Sequence, residues 1–401
     1  MSDIERLLAA FASGELLHPI AEVPSLVDLS RAVAASAGVE GLELTPTAAH
    51  VASLIGDCDH LVLILADGLG MNLIESLPEG AFLPAYLAGE LRTVFPSTTA
   101  VALTSLVTGE WPSKHAVTGR WVHLPEAAVV ADVLPFVLRG NGRPLGGIGV
   151  GPEEAFPLPS LLGNMPRPAG LALLPERIAN STYSAYSAGD MSRHGYRTPA
   201  EGFDAIWAHT TAMEGPSFTY LYTSRIDEAA HAFGLERSEV RGAVMELDRA
   251  VEGLADRLGG RARIVVTADH GFLDAPQAAR HQIGPAHPLR GFLRSSPSGD
   301  ARVMYFHLRA HVEEPFRRNF KQMLGDRFFL ISTDEAERTQ LFGPGELAPE
   351  TRQRLGDVMA ISSGADILDY HQGGGLGRMA SLPSHHSGLT PAEMRVPLVV
   401  V

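Results

Sequence analysis

An uninterrupted apolar run that ends in a polar turn most constrains the fold of this chain. The run HLVLILADG occupies positions 60–68, and RARIVVTADHG repeats the arrangement at 261–271. Strands buried on both faces, as in parallel sheets covered by helices, are near-continuously apolar. A segment with helical spacing, EVRGAVMELDRAVEGLADRLGG, lies between the two runs. The pattern predicts an α/β protein with a mostly parallel central sheet and helices on both faces.

The domain organisation is predicted from a change in this pattern. After the second run, strand-like and helix-like stretches such as RFFLIST and DEAERTQLFG alternate in quick succession. We expect residues 1–285 and 355–401 to form the core, and residues 286–354 to form a small α/β insertion, or cap. Residues 123–215 are rich in Pro and Gly. They are expected to form loops and short elements that lie over a site.

The composition limits the class of function. The chain has 32 Lys and Arg against 46 Asp and Glu, a net charge of −14, and an acidic surface repels the phosphates of a nucleic acid polymer. The only cysteine, Cys58, excludes disulfides within the chain and thiolate metal clusters. The sequence has no secretion signal and no apolar run long enough to span a membrane. We therefore expect a cytoplasmic monomer that acts on a small molecule.

Side chains that bind divalent metal ions follow three predicted strands. In open α/β sheets, ligands bind beyond the carboxyl ends of the strands. Asp67 follows LVLILA, Asp269 and His270 follow IVVTA, and Asp227 and His231 follow FTYLYTSRI. A turn or an exposed ion pair would explain each motif taken alone. Together, these residue types are those of a two-metal phosphate site.

Three consecutive hydroxyl residues, Ser97, Thr98 and Thr99, precede the helix-like segment AVALTSLVTG. Ser97 or Thr98 is expected to cap this helix. A threonine at a helix N-terminus also lies where free N–H groups and the helix dipole favour a phosphate. A metal ion there would lower the pKa of the hydroxyl and make it a usable nucleophile. The two roles are compatible, because one hydroxyl can cap while its neighbour attacks.

Two glycine- or histidine-containing motifs lie near the C-terminus. The stretch LPSHHSG supplies adjacent loop histidines, His385 and His386. The stretch GGGLG at 373–377 lacks a flanking strand and is interpreted as a hinge. No Walker-type or GxGxxG motif lies between a strand and a helix, so a glycine-rich nucleotide cradle is not supported.

As an ordered set, these motifs resemble the nucleotide pyrophosphatase/phosphodiesterase branch of the alkaline phosphatase superfamily. The resemblance covers most of residues 60–285 and the segment from about 382 onwards. The family's nucleophilic threonine lies nine residues before the Thr of a Thr-Gly pair, and counting back from Thr108 gives Thr99. The resemblance therefore implies that Thr99 is the nucleophile and Thr98 its alternative by one position.

The resemblance also implies two divalent metal ions, Mn²⁺ or Zn²⁺, held by nitrogen and oxygen ligands. One ion would be bound by three side chains: Asp227, His231 and His386. The other would be bound by four: Asp67, Thr99, Asp269 and His270. Thr99 would attack phosphorus to form a phosphothreonyl intermediate, which a metal-activated water would hydrolyse.

One departure from the family concerns the asparagine that many members use to hold a phosphoryl oxygen. The position expected for it is Ala102, and a backbone N–H at the start of the helix is the expected substitute. The adjacent pair His385 and His386 also leaves the identity of the last ligand open by one residue.

The sequence segments FPSTTA, TADHGF and HHSGLTPAEM are most similar to those of the actinobacterial cyclic di-AMP phosphodiesterases (AtaC). This similarity implies that cyclic di-AMP is cut to the linear dinucleotide and then to AMP. Alternatives on the same site are a nucleotide pyrophosphatase, a phosphomonoesterase or phosphonate hydrolase, a phosphate-transferring mutase, and a nucleotide sensor that does not cleave. Adenine would need an aromatic or apolar face, for which Tyr183, Tyr186 and Tyr222 are candidates.

Overall fold

The structure is a computed structural model that describes residues 1–166, 169–373 and 377–401. The three central residues of the predicted hinge GGGLG lie outside the described residues. The strands, in chain order, are β1 (His60–Ala66), β2 (Leu87–Arg92), β3 (Trp121–Leu124), β4 (Val129–Asp132), β5 (Val137–Leu138), β6 (Ala169–Pro175), β7 (Ser192–Tyr196), β8 (Ser217–Thr223), β9 (Ala262–Thr267), β10 (Leu273–Asp274), β11 (Arg280–Ile283), β12 (Ser298–Gly299), β13 (Val303–Phe306), β14 (Phe328–Ser332), β15 (Val358–Ser362), β16 (Ile367–Tyr370), β17 (Ser384–His385) and β18 (Arg395–Val400).

The α-helices of the same residues are α1 (Asp3–Ser13), α2 (Leu26–Ser36), α3 (Pro46–Ile55), α4 (Met71–Glu75), α5 (Phe82–Ala85), α6 (Thr99–Thr108), α7 (Pro112–His115), α8 (Pro152–Ala155), α9 (Thr182–Ala188), α10 (Pro199–Ala212), α11 (Arg225–Phe233), α12 (Ser238–Leu258), α13 (Glu313–Leu324), α14 (Thr333–Arg338), α15 (Pro349–Arg354), α16 (Arg378–Ser381) and α17 (Pro391–Met394). Short 3-10 helices lie at Leu145–Ile148, Leu162–Asn164, Gln277–Ala279 and Pro288–Phe292.

The larger helix-covered sheet has the strand order β2-β18-β9-β1-β8-β6-β7. Central strand β1 pairs in parallel with β8, from His60 opposite Ser217, and with β9, from His60 opposite Ala262. Only β18 runs against its neighbours, since it is antiparallel to both β2 and β9. The predicted α/β class with a mostly parallel sheet is therefore confirmed.

Burial explains why the central strands are continuously apolar. Every residue of β1 and β8 is buried, so both faces of the sheet are covered. The covering helices form two groups by mutual contact, one with α2, α3 and α6 and the other with α5, α10, α11 and α12. The predicted long amphipathic helix is α12, which ends where Gly259 adopts a left-handed conformation with φ 56°.

A second sheet combines three separate segments of the chain, in the order β14-β15-β13-β12-β3-β4-β5. Strands β12, β13 and β14 lie inside the predicted insertion at 286–354, but β15 follows it and β3 to β5 lie far before it, between residues 121 and 138. The division into core and insertion remains a prediction. Residues 123–215, expected to form loops and short elements over a site, contain the short strands β4 to β7, the short helices α8 and α9 and the 14-residue helix α10. No helix in the described ranges has the length and apolarity needed to cross a membrane.

Candidate metal centre and active site

The carboxyl ends of three neighbouring strands bring the predicted site residues together. Asp67 directly follows β1, Asp269 follows β9, and Asp227 lies in the first turn of α11 after β8. Backbone hydrogen bonds tie these exits to one another: Asp67 N–H donates to Thr223 O at 2.9 Å, and Asp227 N–H donates to Asp67 O at 3.1 Å. The parallel register of β1, β8 and β9 therefore places three carboxylates at one edge of the sheet.

The seven predicted site residues form one continuous cluster. Ligand atoms of Asp227, His231 and His386 all lie within 4.8 Å of one another, as do those of Asp67, Asp227 and His270. The remaining two members contact His270. Its Nε2 is 3.3 Å from Asp269 Oδ2 and 3.2 Å from Thr99 Oγ1.

The division of ligands between two ions is less sharp than the family pattern implies. The geometry assigns Asp227 to both groups of ligand atoms, whereas the resemblance assigns it to one ion. Asp227 therefore lies at the point where the two groups meet.

Three histidines of the cluster share one hydrogen-bond pattern. His231, His270 and His386 each have Nδ1 beside a backbone carbonyl, those of Ser384 at 3.0 Å, Gly271 at 3.1 Å and Ser97 at 3.2 Å. A carbonyl only accepts, so Nδ1 carries the proton and Nε2 is left with its lone pair. This second hydrogen bond, which fixes the tautomer, is the usual arrangement of a metal-binding histidine.

Two carboxylate oxygens test whether a cation fits the cluster. Asp67 Oδ1 and Asp269 Oδ2 are buried and accept no hydrogen bond from the described residues. Both point to the same place, at 3.4 Å and 3.3 Å from His270 Nε2. A buried carboxylate oxygen without a partner is costly, and buried charges are normally paired or bound to metals. The residues fit a divalent metal ion.

The protonation preferences of the cluster agree with this fit. Burial, followed by the charges of Asp269 and Asp227, raises the pKa of Asp67 well above its ordinary value. Burial is also the main cause that raises the pKa of Asp227 to about 7 and lowers the pKa of His231 to about 4. Crowded carboxylates and neutral imidazoles are the state that a bound cation stabilises.

The three consecutive hydroxyls have three different partners. Helix α6 begins at Thr99, whose Oγ1 faces His270. Thr98 occupies the N-cap position, but its hydroxyl donates to Asp300 Oδ2 at 2.7 Å, and Ser97 Oγ donates to Gly388 O at 2.7 Å. The predicted side-chain cap by Ser97 or Thr98 is therefore wrong, because a buried carboxylate and a buried carbonyl take these hydroxyls.

The absence of a side-chain cap on α6 has a chemical consequence. The first N–H groups of a helix have no intrahelical partner. In α6 these groups belong to Thr99 and the residues after it, and no side chain of the described chain caps them. Free N–H groups beside Thr99 are suited to bind a phosphate oxygen. Ala102 lies within the same helix, is fully buried and offers no polar group.

The ambiguity between His385 and His386 has a geometric answer. His385 pairs with Leu273 in the short β10–β17 ladder and its Nε2 lies 3.2 Å from Leu382 O. The ring of His386 instead stacks on that of His270, with centroids 3.8 Å apart. The structure brings ligand atoms of His386, and not those of His385, within 4.8 Å of Asp227 and His231.

The tyrosines considered for adenine binding have other contacts. Tyr222 is buried at the end of β8, and its hydroxyl donates to Asp67 Oδ2. Tyr186 stacks on Phe156 at 4.7 Å and donates to Leu158 O at 2.8 Å, and buried Tyr183 packs against both rings. Sequence analysis missed the role of Tyr222 towards Asp67, although its place at a strand exit beside β1 is a signal for it.

Arg120 and Asp300 are two further charged residues near the cluster that sequence analysis missed. Burial is the main cause of both pKa shifts, and the charge of the Arg120 guanidinium opposes the rise of the pKa of Asp227 and adds to the lowering of the pKa of His231. Asp300 is buried and receives the Thr98 hydroxyl. Arg120 directly precedes β3 and Asp300 directly follows β12, so both residues flank strands of the second sheet. No local sequence signal identifies them.

The fold, together with the site at this edge of the sheet, defines a class of protein: the metal-dependent phosphoester hydrolases. The model of the type I phosphodiesterase/nucleotide pyrophosphatase family matches residues 61–131 and 175–371, more than half of the chain. The chain therefore belongs to that family. The predicted family and the predicted enzyme class, a phosphoric diester hydrolase, are confirmed.

Solved structures show the same fold at low sequence identity. Murine ectonucleotide pyrophosphatase/phosphodiesterase 5, inactive and in complex with AMP, has a TM-score of 0.63 at 12% identity over 84% of this chain and 87% of that one. The human enzyme gives 0.59 at 13% identity over 85% and 87%. Phosphonoacetate hydrolase from Sinorhizobium meliloti, in complex with phosphonoformate, gives 0.58 at 16% identity over 85% and 89%. No curated protein sequence matches the chain.

Proposed function

We propose that this chain hydrolyses cyclic di-AMP to the linear dinucleotide and then to AMP, with Thr99 as the nucleophile. The observation that carries the proposal is the position of the Thr99 hydroxyl. It lies at the start of α6, beside uncapped N–H groups, and 3.2 Å from Nε2 of His270 within the cluster of carboxylates and imidazoles. A phosphate placed there meets both a nucleophile and hydrogen-bond donors.

Two metal ions, Mn²⁺ or Zn²⁺, are part of the proposal. Their ligands are proposed to be these side chains: Asp67, Thr99, Asp227, His231, Asp269, His270 and His386. When bound, the ions supply positive charge that neutralises the phosphate and lowers the pKa of a coordinated hydroxyl. A set of nitrogen and oxygen ligands is compatible with either metal.

The proposed reaction has two displacements at phosphorus. Thr99 Oγ gives up its proton and forms a bond to phosphorus while the bond from phosphorus to the ribose ester oxygen breaks. The displaced ribose oxygen takes up a proton and becomes a hydroxyl, and a phosphothreonyl intermediate remains. Water then displaces Thr99 Oγ and restores the hydroxyl. The N–H groups at the start of α6 donate to a phosphoryl oxygen, in place of the asparagine missing at Ala102. For a cyclic dinucleotide the first round opens the ring and the second releases AMP.

The experiment that tests the proposal is a hydrolysis panel with metal added back to chelated protein. The substrates are cyclic di-AMP, the linear dinucleotide, a dinucleoside polyphosphate, a phosphonate and a phosphomonoester. We expect cleavage of the cyclic and linear diesters with Mn²⁺ or Zn²⁺. Preference for the polyphosphate would indicate a nucleotide pyrophosphatase, and cleavage of the monoester or phosphonate alone would contradict the proposal. Binding without turnover would indicate a sensor.

A further inference from the structure

We propose that a cavity beside the metal cluster, on the second sheet, binds the second nucleotide of the substrate, the one whose ribose oxygen is displaced from phosphorus when Thr99 attacks. This inference rests on the proposed function. The cavity has a volume of about 410 Å³, within the range of about 300–1,000 Å³ typical of ligand pockets. Its walls include Arg120, Trp121, Arg139, Tyr370 and Arg378.

Direct contacts connect this cavity with the nucleophile. Thr98, next to Thr99, donates its hydroxyl to Asp300 at 2.7 Å. The preceding residue, Gly299, pairs with Trp121 in the second sheet. Its backbone lies so close to Gly119 that a Cβ on Gly119 would be 2.6 Å from Gly299 O. The start of β3, with Arg120 and Trp121, is therefore held against the loop that carries Thr99.

The opposite wall of the cavity is joined to the metal cluster. Arg378 begins α16, in the segment that leads to β17 and His386. Ser384 in β17 accepts the hydrogen bond of His231 at 3.0 Å. Arg120 and Arg378 both line the cavity. The segments that carry them are therefore tied to the cluster through Thr98 on one side and His231 on the other.

The charge of the cavity favours an anion. Its wall holds three arginines and two aspartates, in a chain whose net charge is −14. Asp132 bonds Arg120 Nε and Nη2 through one oxygen at 3.2 Å. Asp369 is 2% exposed and accepts from Ala380 N–H at 2.7 Å. The Arg378 side chain is exposed and makes no hydrogen bond or ion pair with a described residue. A local excess of positive charge in an acidic protein attracts anionic ligands.

The second recognition element is a rigid aromatic wall, in which Trp121 and Tyr370 are each 8% exposed. The Arg139 guanidinium lies 3.7 Å from the Trp121 ring centroid and 5.2 Å from that of Tyr370. Its two Nη groups donate to Pro297 O at 2.6 Å and Tyr370 O at 3.0 Å, which fixes its plane. Arginine planes and aromatic rings stack on nucleobases without sequence preference. The guanidinium of Arg378, which has no partner among the described residues, together with this aromatic wall favours a nucleotide as the ligand.

The inference explains how one site accommodates a dinucleotide. A cyclic dinucleotide carries two phosphates, and only one of them is attacked at Thr99. The other phosphate and its nucleoside need a separate location, which the cavity lined by Arg120 and Arg378 supplies. A simple diester without a second nucleotide does not reach this location.

The test compares two substrates in the metal-loaded full chain. The kcat/KM for cyclic di-AMP is divided by that for bis(p-nitrophenyl) phosphate, for the wild type, Arg378→Gln and Arg318→Gln. Arg318 is exposed on α13, outside the cavity, and serves as the matched control. We expect Arg378→Gln to lower the ratio at least tenfold, mainly through a higher KM for cyclic di-AMP, and Arg318→Gln to leave it unchanged.

The outcomes separate this inference from the proposed function. A ratio in Arg378→Gln equal to that of the wild type overturns the second-nucleotide cavity while the phosphodiesterase assignment stands. A ratio that falls equally in Arg318→Gln also overturns it, because a general loss of surface charge then explains the effect. A wild type that cleaves bis(p-nitrophenyl) phosphate but no dinucleotide overturns the proposed substrate, and the inference with it.

Discussion

At the scale of single residues, neighbouring hydroxyls in this chain have separate functions. Thr99 faces His270, whereas Thr98 satisfies the buried carboxylate of Asp300. A hydroxyl that bonds a buried charge contributes to stability, since removing it leaves the charge without a donor. The Thr99 hydroxyl faces the cluster and does not donate to a buried carboxylate as Thr98 does. We therefore expect its loss to affect catalysis more than stability.

The first prediction concerns this pair. Thr99→Ala is expected to lower kcat by at least about 10³-fold, because the nucleophile is lost, with little change in thermal stability. Thr98→Ala is expected to lose about 1–3 kcal/mol of unfolding free energy and to retain activity. Steady-state kinetics and denaturant unfolding measure the two effects, and Thr99→Ser is the control that retains a hydroxyl. The opposite order of activity loss would move the nucleophile to Thr98.

The second prediction contrasts two buried aspartates. Asp67 lies among like charges, and one of its oxygens accepts no hydrogen bond from the described residues. Asp248 instead accepts hydrogen bonds from the N–H groups of Phe82 at 3.2 Å and Leu83 at 2.7 Å. Asp67→Asn is expected to abolish turnover and to raise the unfolding free energy of the metal-free protein by about 1 kcal/mol, because a buried charge is removed. Asp248→Asn is expected to lose about 1–3 kcal/mol and to keep its turnover. Full activity of Asp67→Asn would rule out its proposed role.

At the scale of elements, a buried ion pair holds the loop that carries His386. Arg302 and Glu393 are fully buried and 2.6 Å apart. Glu393 also accepts from Gly388 N–H at 2.7 Å, and Gly388 O in turn receives the Ser97 hydroxyl. This ion pair therefore links the second sheet, the loop before α17 and the start of α6 in one network.

The third prediction tests this network. Glu393→Gln is expected to lower the unfolding free energy by about 3–5 kcal/mol, since it leaves Arg302 charged and buried without a carboxylate. Activity is expected to fall as well, because the loop of His386 loses its anchor. Glu90→Gln, which removes the partly exposed partner of Arg395, is the control and is expected to cost less than about 1 kcal/mol. Equal losses in the two variants would contradict the proposed importance of the buried pair.

At the scale of the whole molecule, the candidate site lies where two sheets meet. The larger sheet supplies the aspartates and two of the histidines, and the second sheet supplies Asp300 and Arg120. The crowded carboxylates at this junction repel one another until a cation is bound. Metal binding and stability of the whole chain are therefore expected to be coupled.

The fourth prediction follows from that coupling. Chelation is expected to abolish hydrolysis and to lower Tm, and Mn²⁺ or Zn²⁺ is expected to restore both. At a metal concentration 100 times Kd, the stabilisation amounts to about 2.7 kcal/mol. Calorimetry with and without metal measures it, and Asp67→Asn is expected to show a smaller shift. Undiminished turnover by the chelated protein would refute the metal-dependent mechanism.

The parallel sheet and its polar exits were predictable because they are local features. Apolar runs such as residues 60–66 are followed immediately by Asp67, and Asp227 and His231 are separated by one helical turn. In open α/β sheets, ligands bind beyond the carboxyl ends of the strands, so the exits of β1, β8 and β9 were expected to share one edge. The second sheet was not predictable, because β3 is a short strand that joins the rest of this sheet through β12, which lies far along the chain.

The sequence by itself determined the α/β class and the family from residue type and short spacing, and the resemblance to that family implied the set of seven candidate ligands. Only the tertiary structure brought His386 rather than His385 to the cluster, removed the side-chain cap from α6, and joined Asp300 to Thr98. These outcomes depend on hydrogen bonds and charges between segments more than 100 residues apart, such as Thr98 with Asp300 and His386 with Ser97. Contacts of this kind form only when the whole chain has folded, so no local pattern of residues encodes them.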